Sequence, residues 1–269
     1  MNNTIHTPVI AHRGNSHIYP ENTLLSIRQA IELNVHMIEF DVRLTADHKL
    51  VVFHDDEVNR ITRLNGPVSG FTSTELTAMD AGSWKNPLFT GNNIPLLEEV
   101  LQLDTGNTIL NIEVKPGTSD TFDCHQMAEI LVEELRGFNA TNRVLVSSFE
   151  PSILYHVKEL EPHIKTAILY DADIWQGLSP AQIVSICNCN AFNCSSSEIS
   201  DNWIQELGHM GIPVNVYTVN DENQMRRLIR MGVDGIFSDN PALLQVVYLK
   251  ENLPSSLYRQ SRAALMMAG

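Results

Sequence analysis

A chain of 269 residues, 43% of them hydrophobic, can fill one large core or two small ones, which excludes a disordered protein. Its 32 Asp and Glu against 18 Lys and Arg leave a net charge of −14. That field repels nucleic acid and anionic membranes, so a phosphate ligand has to meet cations gathered locally or a metal.

No apolar run approaches the roughly 20 residues of a membrane span. The polar first residues lack the charged and apolar regions of a signal peptide, so the expected location is cytoplasmic, with no stable membrane association. Cys124, Cys187, Cys189 and Cys194 match no common zinc spacing and read as reduced, mostly buried thiols.

Apolar runs at 8–12, 37–42, 108–114, 143–149, 165–170, 191–195, 212–218 and 234–238 alternate with helical segments. Such strand–helix units predict α/β architecture, a (β/α)8 TIM barrel. Residues 21–34 set Leu24, Ile27, Ala30 and Ile31 on one helical stripe, and residues 121–137 do the same with Met127, Ile130, Leu131 and Leu135. A helix over 221–232 carries Arg226, Arg227 and Arg230 toward its carboxyl end, where the helix dipole favours cations. The last helix follows Ser238, with Asp239 or Asn240 as cap and Pro241 in the first turn.

One run breaks the alternation. Residues 50–54 follow the second strand too closely for a parallel crossover, so they return antiparallel as a hairpin and carry His54 back toward the same rim. Residues 55–95 are rich in Gly, Pro, Asn, Ser and Thr, with one helical signal at 72–76. They read as a surface insertion over the active face of a single domain, 1–269. The apolar patch at 265–268 packs on the barrel or on a second copy, which leaves a homo-oligomer open.

His12 and Arg13 end the first strand, and chemistry in parallel sheets collects at strand carboxyl ends. Glu39 and Asp41 are two residues apart, opposite Ile38, Phe40 and Val42, so both point into the barrel. Two unpaired carboxylates are costly to bury there. With Glu113 from the next parallel strand they form an oxygen set for one divalent cation, Mg2+ or Ca2+. The bland reading is an ion-pair network with Arg13, Lys115 and Arg43, but three acids on adjacent strands exceed ordinary packing needs.

Arg13 and Lys115 supply local positive charge for a phosphoryl group. His12 and His54 at one rim suit general acid–base catalysis near neutral pH, whereas the other histidines read as packing or surface, with His17 the nearest exception. Phe149 and Tyr217 end strands and are expected to shape a substrate pocket. Pro20 to Thr23 reads as a helix start, and Asn220, Asp221 and Asp239 read as caps rather than ligands.

The ordered set of His12 to Gly14, Pro20 to Thr23, Glu39 to Asp41, His54 with Asp55, Glu113 to Lys115, Ser147 to Phe149, Tyr217 to Asn220 and Gly232 to Asp239 resembles the glycerophosphodiester phosphodiesterase family. No single triplet is specific; the set spans nearly the whole chain in the family's order. The resemblance implies a phospholipase C-like barrel that hydrolyses glycerophosphodiesters to glycerol 3-phosphate and an alcohol. It also implies Glu39, Asp41 and Glu113 as metal ligands, His12 and His54 as the acid–base pair, and Arg13 and Lys115 as phosphate contacts. Tyr217 stands where the family usually has tryptophan, which bears on the pocket's shape. Two other readings stand beside this one: a lysophospholipase D-type enzyme acting on long-chain lysolipids, and a phosphate-ligand binding barrel without turnover.

Overall fold

The structure, a computed structural model, describes residues 9–117 and 124–252. The apolar patch at 265–268, on which association through the tail depended, lies outside the described residues.

In chain order the first elements are β1 (Val9–His12), α1 (Leu24–Glu32), β2 (Met37–Leu44), β3 (Leu50–Val52), α2 (Ser73–Thr77), α3 (Leu97–Leu101), β4 (Ile109–Val114) and α4 (Cys124–Gly137). There follow β5 (Val144–Ser148), α5 (Pro151–Leu160), β6 (Lys165–Leu169), α6 (Pro180–Cys187), β7 (Ala191–Ser195), α7 (Asp201–His209), β8 (Val214–Tyr217), α8 (Glu222–Met231), β9 (Gly235–Ser238) and α9 (Pro241–Asn252).

Parallel pairing runs β1, β9, β8, β7, β6, β5, β4, β2 and closes from β2 back to β1, which makes the predicted eight-stranded barrel. β3 lies outside the cycle, antiparallel to β2 with Val42 opposite Val52, as the short connection requires. Ile38, Phe40, Val42, Leu110 and Ile112 face outward and pack with Ile27, Ala30, Met127 and Leu131 of the helices. A smaller interior set, including Ile10, Met37, Leu145 and Phe237, fills the barrel below the rim. No helix among the described residues is long and apolar enough to cross a membrane.

The insertion at 55–95 begins with a single 3-10 turn at Val58–Arg60, and α2 starts at the Thr72–Glu75 capping box. It is less purely polar than its composition suggested. Val58, Ile61, Val68, Leu76 and Ile94 join Val51 and Phe53 in a small buried cluster of their own. The insertion meets the loop after β1 through Lys85, whose ammonium donates to the Ser16 carbonyl at 2.6 Å, and through Phe89, whose ring lies 5.9 Å from that of Tyr19.

The turn from β1 into α1 permits no side chain at Gly14. Its φ is +81°, and a Cβ there would stand 2.5 Å from the Ser26 carbonyl carbon. Gly14→Ala is expected to destabilise the fold by about 2–5 kcal/mol, combining left-handed strain with overpacking. Denaturant unfolding monitored by circular dichroism measures this, and a loss under about 1 kcal/mol would mean the turn can re-form around a methyl group.

Candidate active site

Strand register assembles the site. His12 is paired level with Glu39 across β1 and β2, Asp41 with Glu113 across β2 and β4, and Glu113 with Ser147 across β4 and β5. Because side chains alternate along a strand, burying Ile38 and Phe40 against the helices turns Glu39 and Asp41 inward. Glu39 is 2% exposed and Asp41 1%. One carboxylate oxygen from each of Glu39, Asp41 and Glu113 lies within 4.8 Å of the others.

This cluster is electrostatically unfinished. Burial, then the neighbouring Asp41 charge, pushes the Glu39 carboxyl well above the usual carboxylate range, and the same two causes raise Glu113. Burial acts on Asp41 as well, but Lys115 and Arg13 outweigh it and hold that carboxylate down to about 2. Glu39 Oε1 and Asp41 Oδ1 are buried without a hydrogen-bond partner. Three carboxylates gathered this closely, with Glu39 Oε1 unpartnered and Asp41 Oδ1 met by the Lys115 ammonium at 3.3 Å, fit a hard divalent cation, which takes oxygen ligands and neutralises excess negative charge.

The two cations reach the same place. Arg13 adopts a left-handed backbone, φ +53°, which turns its N–H to Glu39 Oε2 at 3.1 Å. Its guanidinium meets Glu21 at 2.7 Å and Asp41 at 3.4 Å. Lys115 Nζ lies 2.5 Å from Glu113 and 3.3 Å from Asp41. The ion-pair network is therefore real around Asp41, but Arg43 stands outside it. Arg43 donates to the carbonyls of His54 and Pro116 and pairs with Asp56.

Both histidines are held by a carboxylate at Nδ1: His12 by Asp239 at 2.6 Å and His54 by Asp55 at 2.7 Å. The Nε2 of His12 stands 3.9 Å from Glu39. The surroundings move the two rings apart. Burial depresses His12, but the Asp239 hydrogen bond and the Glu39 charge prevail and raise it. Burial lowers His54, with Arg13 and Lys115 adding to the fall, and the Asp41 charge does not make it up.

Some sequence readings need correction. Asp239 is not a cap: it accepts from Ser16 Oγ and Asn220 Nδ2 besides holding His12, and Asn240 caps α9 through the Leu243 N–H. Asn220 is not a cap either, since its Oδ1 accepts from the Ser238 hydroxyl and the Asp239 N–H. Asp221 is the cap of α8, as expected. Pro20 to Thr23 is more than a helix start: Thr23 caps α1, Asn22 Nδ2 donates to Asp41 at 2.8 Å, and Glu21 anchors Arg13. A left-handed φ of +55° at Asn22 reflects that second duty, though nothing local in the sequence announces it.

Phe149 and Tyr217 do meet, with ring centroids 6.1 Å apart. The Tyr217 hydroxyl is already committed, donating to the Tyr170 carbonyl at 3.0 Å. His17 is exposed, and its backbone N–H donates to the Asp239 carbonyl.

A carboxylate cluster of the kind that holds a cation, two cationic side chains beside it and two imidazoles each held by a carboxylate suit a phosphate-ester hydrolase better than a binding barrel, because binding needs no proton transfer. Residues 12–243 match the model of the glycerophosphoryl diester phosphodiesterase family. A glycerophosphodiester phosphodiesterase of Caldanaerobacter subterraneus subsp. tengcongensis is 35% identical over 239 residues, covering 88% of this chain and 96% of that protein. One from Bacillus altitudinis is 34% identical, covering 87% and 95%. A solved phosphodiesterase of Oleispira antarctica, in complex with the product sn-glycerol-3-phosphate, matches with a TM-score of 0.82 at 31% identity, over 89% of this chain and 95% of that one. The chain belongs to the glycerophosphoryl diester phosphodiesterase family. It is an enzyme, a phosphoric diester hydrolase.

Proposed function

We propose that the enzyme converts glycerophosphodiesters to glycerol 3-phosphate and an alcohol, with one divalent cation, Mg2+ or Ca2+, held by Glu39, Asp41 and Glu113. The observation that carries this reading is the buried three-carboxylate cluster itself, in which Glu39 Oε1 has no hydrogen-bond partner and Asp41 Oδ1 is met by the Lys115 ammonium at 3.3 Å without a hydrogen bond. When bound, such a cation supplies Lewis acidity and charge neutralisation at phosphoryl oxygen.

The chain's own residues do the rest. Arg13 offers a planar fork and Lys115 a point charge to the non-bridging phosphate oxygens. One of His12 and His54 takes the proton from the substrate glycerol's 2-hydroxyl as that oxygen bonds to phosphorus. The other gives a proton to the alcohol oxygen as its bond to phosphorus breaks. A cyclic phosphate results, and water opens it with the two roles reversed. Direct attack by water is the competing route, and a substrate lacking the 2-hydroxyl separates them, since the cyclic route loses it. Asp239 and Asp55 fix the rings of His12 and His54 through Nδ1, which leaves each Nε2 to the substrate.

Phe149 and Tyr217 shape the substrate pocket, and the insertion covers the active face, as its contacts with Ser16, Tyr19 and Glu21 support. Four free cysteines suit a reducing compartment and so support a cytoplasmic location.

A second reading, hydrolysis of long-chain lysolipids, is favoured by a cavity of about 750 Å3 on the insertion, where Phe71, Trp84, Leu64 and Ile61 supply apolar wall beside Arg60 and Arg63. The deciding experiment is release of glycerol 3-phosphate from glycerophosphocholine and glycerophosphoethanolamine, with chelator and then with Mg2+ or Ca2+ restored. Release that chelator abolishes and one cation restores is the expected result. Turnover confined to lysolipids would select the second reading, and chelator-resistant release would remove the cation from the reaction.

A further inference from the structure

We propose that Arg60, on the insertion, is a positioning residue of the reaction, holding through one guanidinium the carboxylates that fix both His54 and Arg13. The proposal rests on the roles given above to His54 and Arg13.

Arg60 ends the short 3-10 turn at Val58–Arg60. Its Nε meets Asp55 Oδ2 at 2.5 Å and its Nη2 meets Asp55 Oδ1 at 3.1 Å, a bidentate fork. The Nη1 and Nη2 atoms also donate to Glu21, at 3.1 and 2.7 Å. Each carboxylate has a second partner inside the site. Asp55 Oδ1 holds His54 Nδ1, and Glu21 Oε1 holds Arg13 Nη1. One side chain therefore clamps supports that come from two separate loops, the one after β1 and the one after β3. On its outer side the guanidinium faces the Trp84 ring, with its carbon 5.6 Å from the centroid.

Fold stability does not call for this arrangement. The Arg60 side chain is 42% exposed, and ion pairs at such sites add little to folding. Four donated hydrogen bonds of fixed geometry instead restrict where His54 and Arg13 can stand, which bears on rate, because loose support of reacting groups is costly. Lysine cannot replace the fork: its single ammonium spans one carboxylate well and two poorly.

Arg60→Ala is expected to lower kcat for glycerophosphocholine by about 10- to 100-fold, the usual effect of losing a support behind a functional group. KM should move less than kcat, and the unfolding temperature should stay within about 3 °C of the parent's, as for the loss of a half-exposed ion pair. Arg60→Lys should fall between the two. Arg63→Ala serves as the charge-matched control: Arg63 lines the same cavity and pairs with neither Asp55 nor Glu21.

Two readouts separate positioning from bulk structure. Combining Arg60→Ala with Asp55→Asn should cost little more than the worse single change, because both act through His54. In 15N spectra of histidine-labelled protein, His54 should hold one tautomer in the parent and show a mixture in Arg60→Ala. If Arg60→Ala does not fold, the same two readouts are taken on Arg60→Lys. Additive losses, an unchanged His54 spectrum, or a kcat loss matched by Arg63→Ala would overturn the inference. His54→Ala is measured alongside: a large loss there with none in Arg60→Ala defeats only the positioning role, whereas no loss in either defeats the His54 assignment as well.

Discussion

Glu39→Gln is expected to make the metal-free protein more stable while abolishing its response to metal. In the parent the Glu39 carboxyl is raised by burial first and by Asp41 second. For a carboxyl whose folded pKa lies above its unfolded value, the folded state binds more protons than the unfolded one across that interval, so stability falls as pH rises through it. The affected window opens at the ordinary carboxylate pKa and extends upward to about 8. Glutamine has the same shape and no charge to desolvate, so the variant should lose this downward slope. It should melt about 2–8 °C higher at pH 7, the shift that roughly 1–2 kcal/mol produces at this chain length.

Cation binding reverses the ranking. A ligand at 100 times its Kd stabilises the native state by about 2.7 kcal/mol, and the parent should gain this from Mg2+ or Ca2+. Glu39→Gln should gain almost none and should lose activity by at least about 100-fold. Melting curves from pH 5 to 8, with chelator and with each cation, check both halves. A variant that melts lower without metal, or that still rises with it, would mean Glu39 serves the fold rather than the cation.

The second large effect separates the two histidines. His12→Ala and His54→Ala should each slow hydrolysis of glycerophosphocholine by about 10²–10⁴-fold, the range for general acid–base groups. In a glycerophosphodiester of p-nitrophenol the bond to phosphorus breaks to release a stable phenolate, a leaving group that needs no proton. On that substrate one variant should recover most of its loss and the other should recover none. The variant that recovers identifies the acid, and its partner is the base. Recovery by both or by neither would dissolve the acid–base pairing, and with it the catalytic purpose of the hydrogen bonds that hold the two rings to Asp239 and Asp55.

Much of the candidate site's placement is legible in the sequence because its charged residues sit on strands or just past their ends. Glu39 with Asp41, and Glu113 with Lys115, are spaced by two inside apolar runs, and a period of two decides by itself which residues share a face. The place of His54 follows from the shortness of one connection, since a parallel crossover does not fit there. The supporting residues were harder to see. Asp239 and Asn240 are adjacent and both suited to capping, so local sequence could not divide the duties; pairing β9 beside β1 gave Asp239 to His12 and left Asn240 as the cap. Glu21 and Asn22 likewise look like the polar run before a helix until the left-handed turns at Arg13 and Asn22 bring them onto Arg13 and Asp41.

By itself, then, the sequence determined the alternation of strands and helices, the inward face of each strand and the charges carried on it, because these follow from periodicity along a few residues. Only the tertiary structure decided the register that sets Asp41 level with Glu113, the partners of the two histidines, and the reach of Arg60 from the insertion to Glu21, 39 positions earlier. Those contacts depend on barrel closure and loop path, which bring together residues that no local pattern relates.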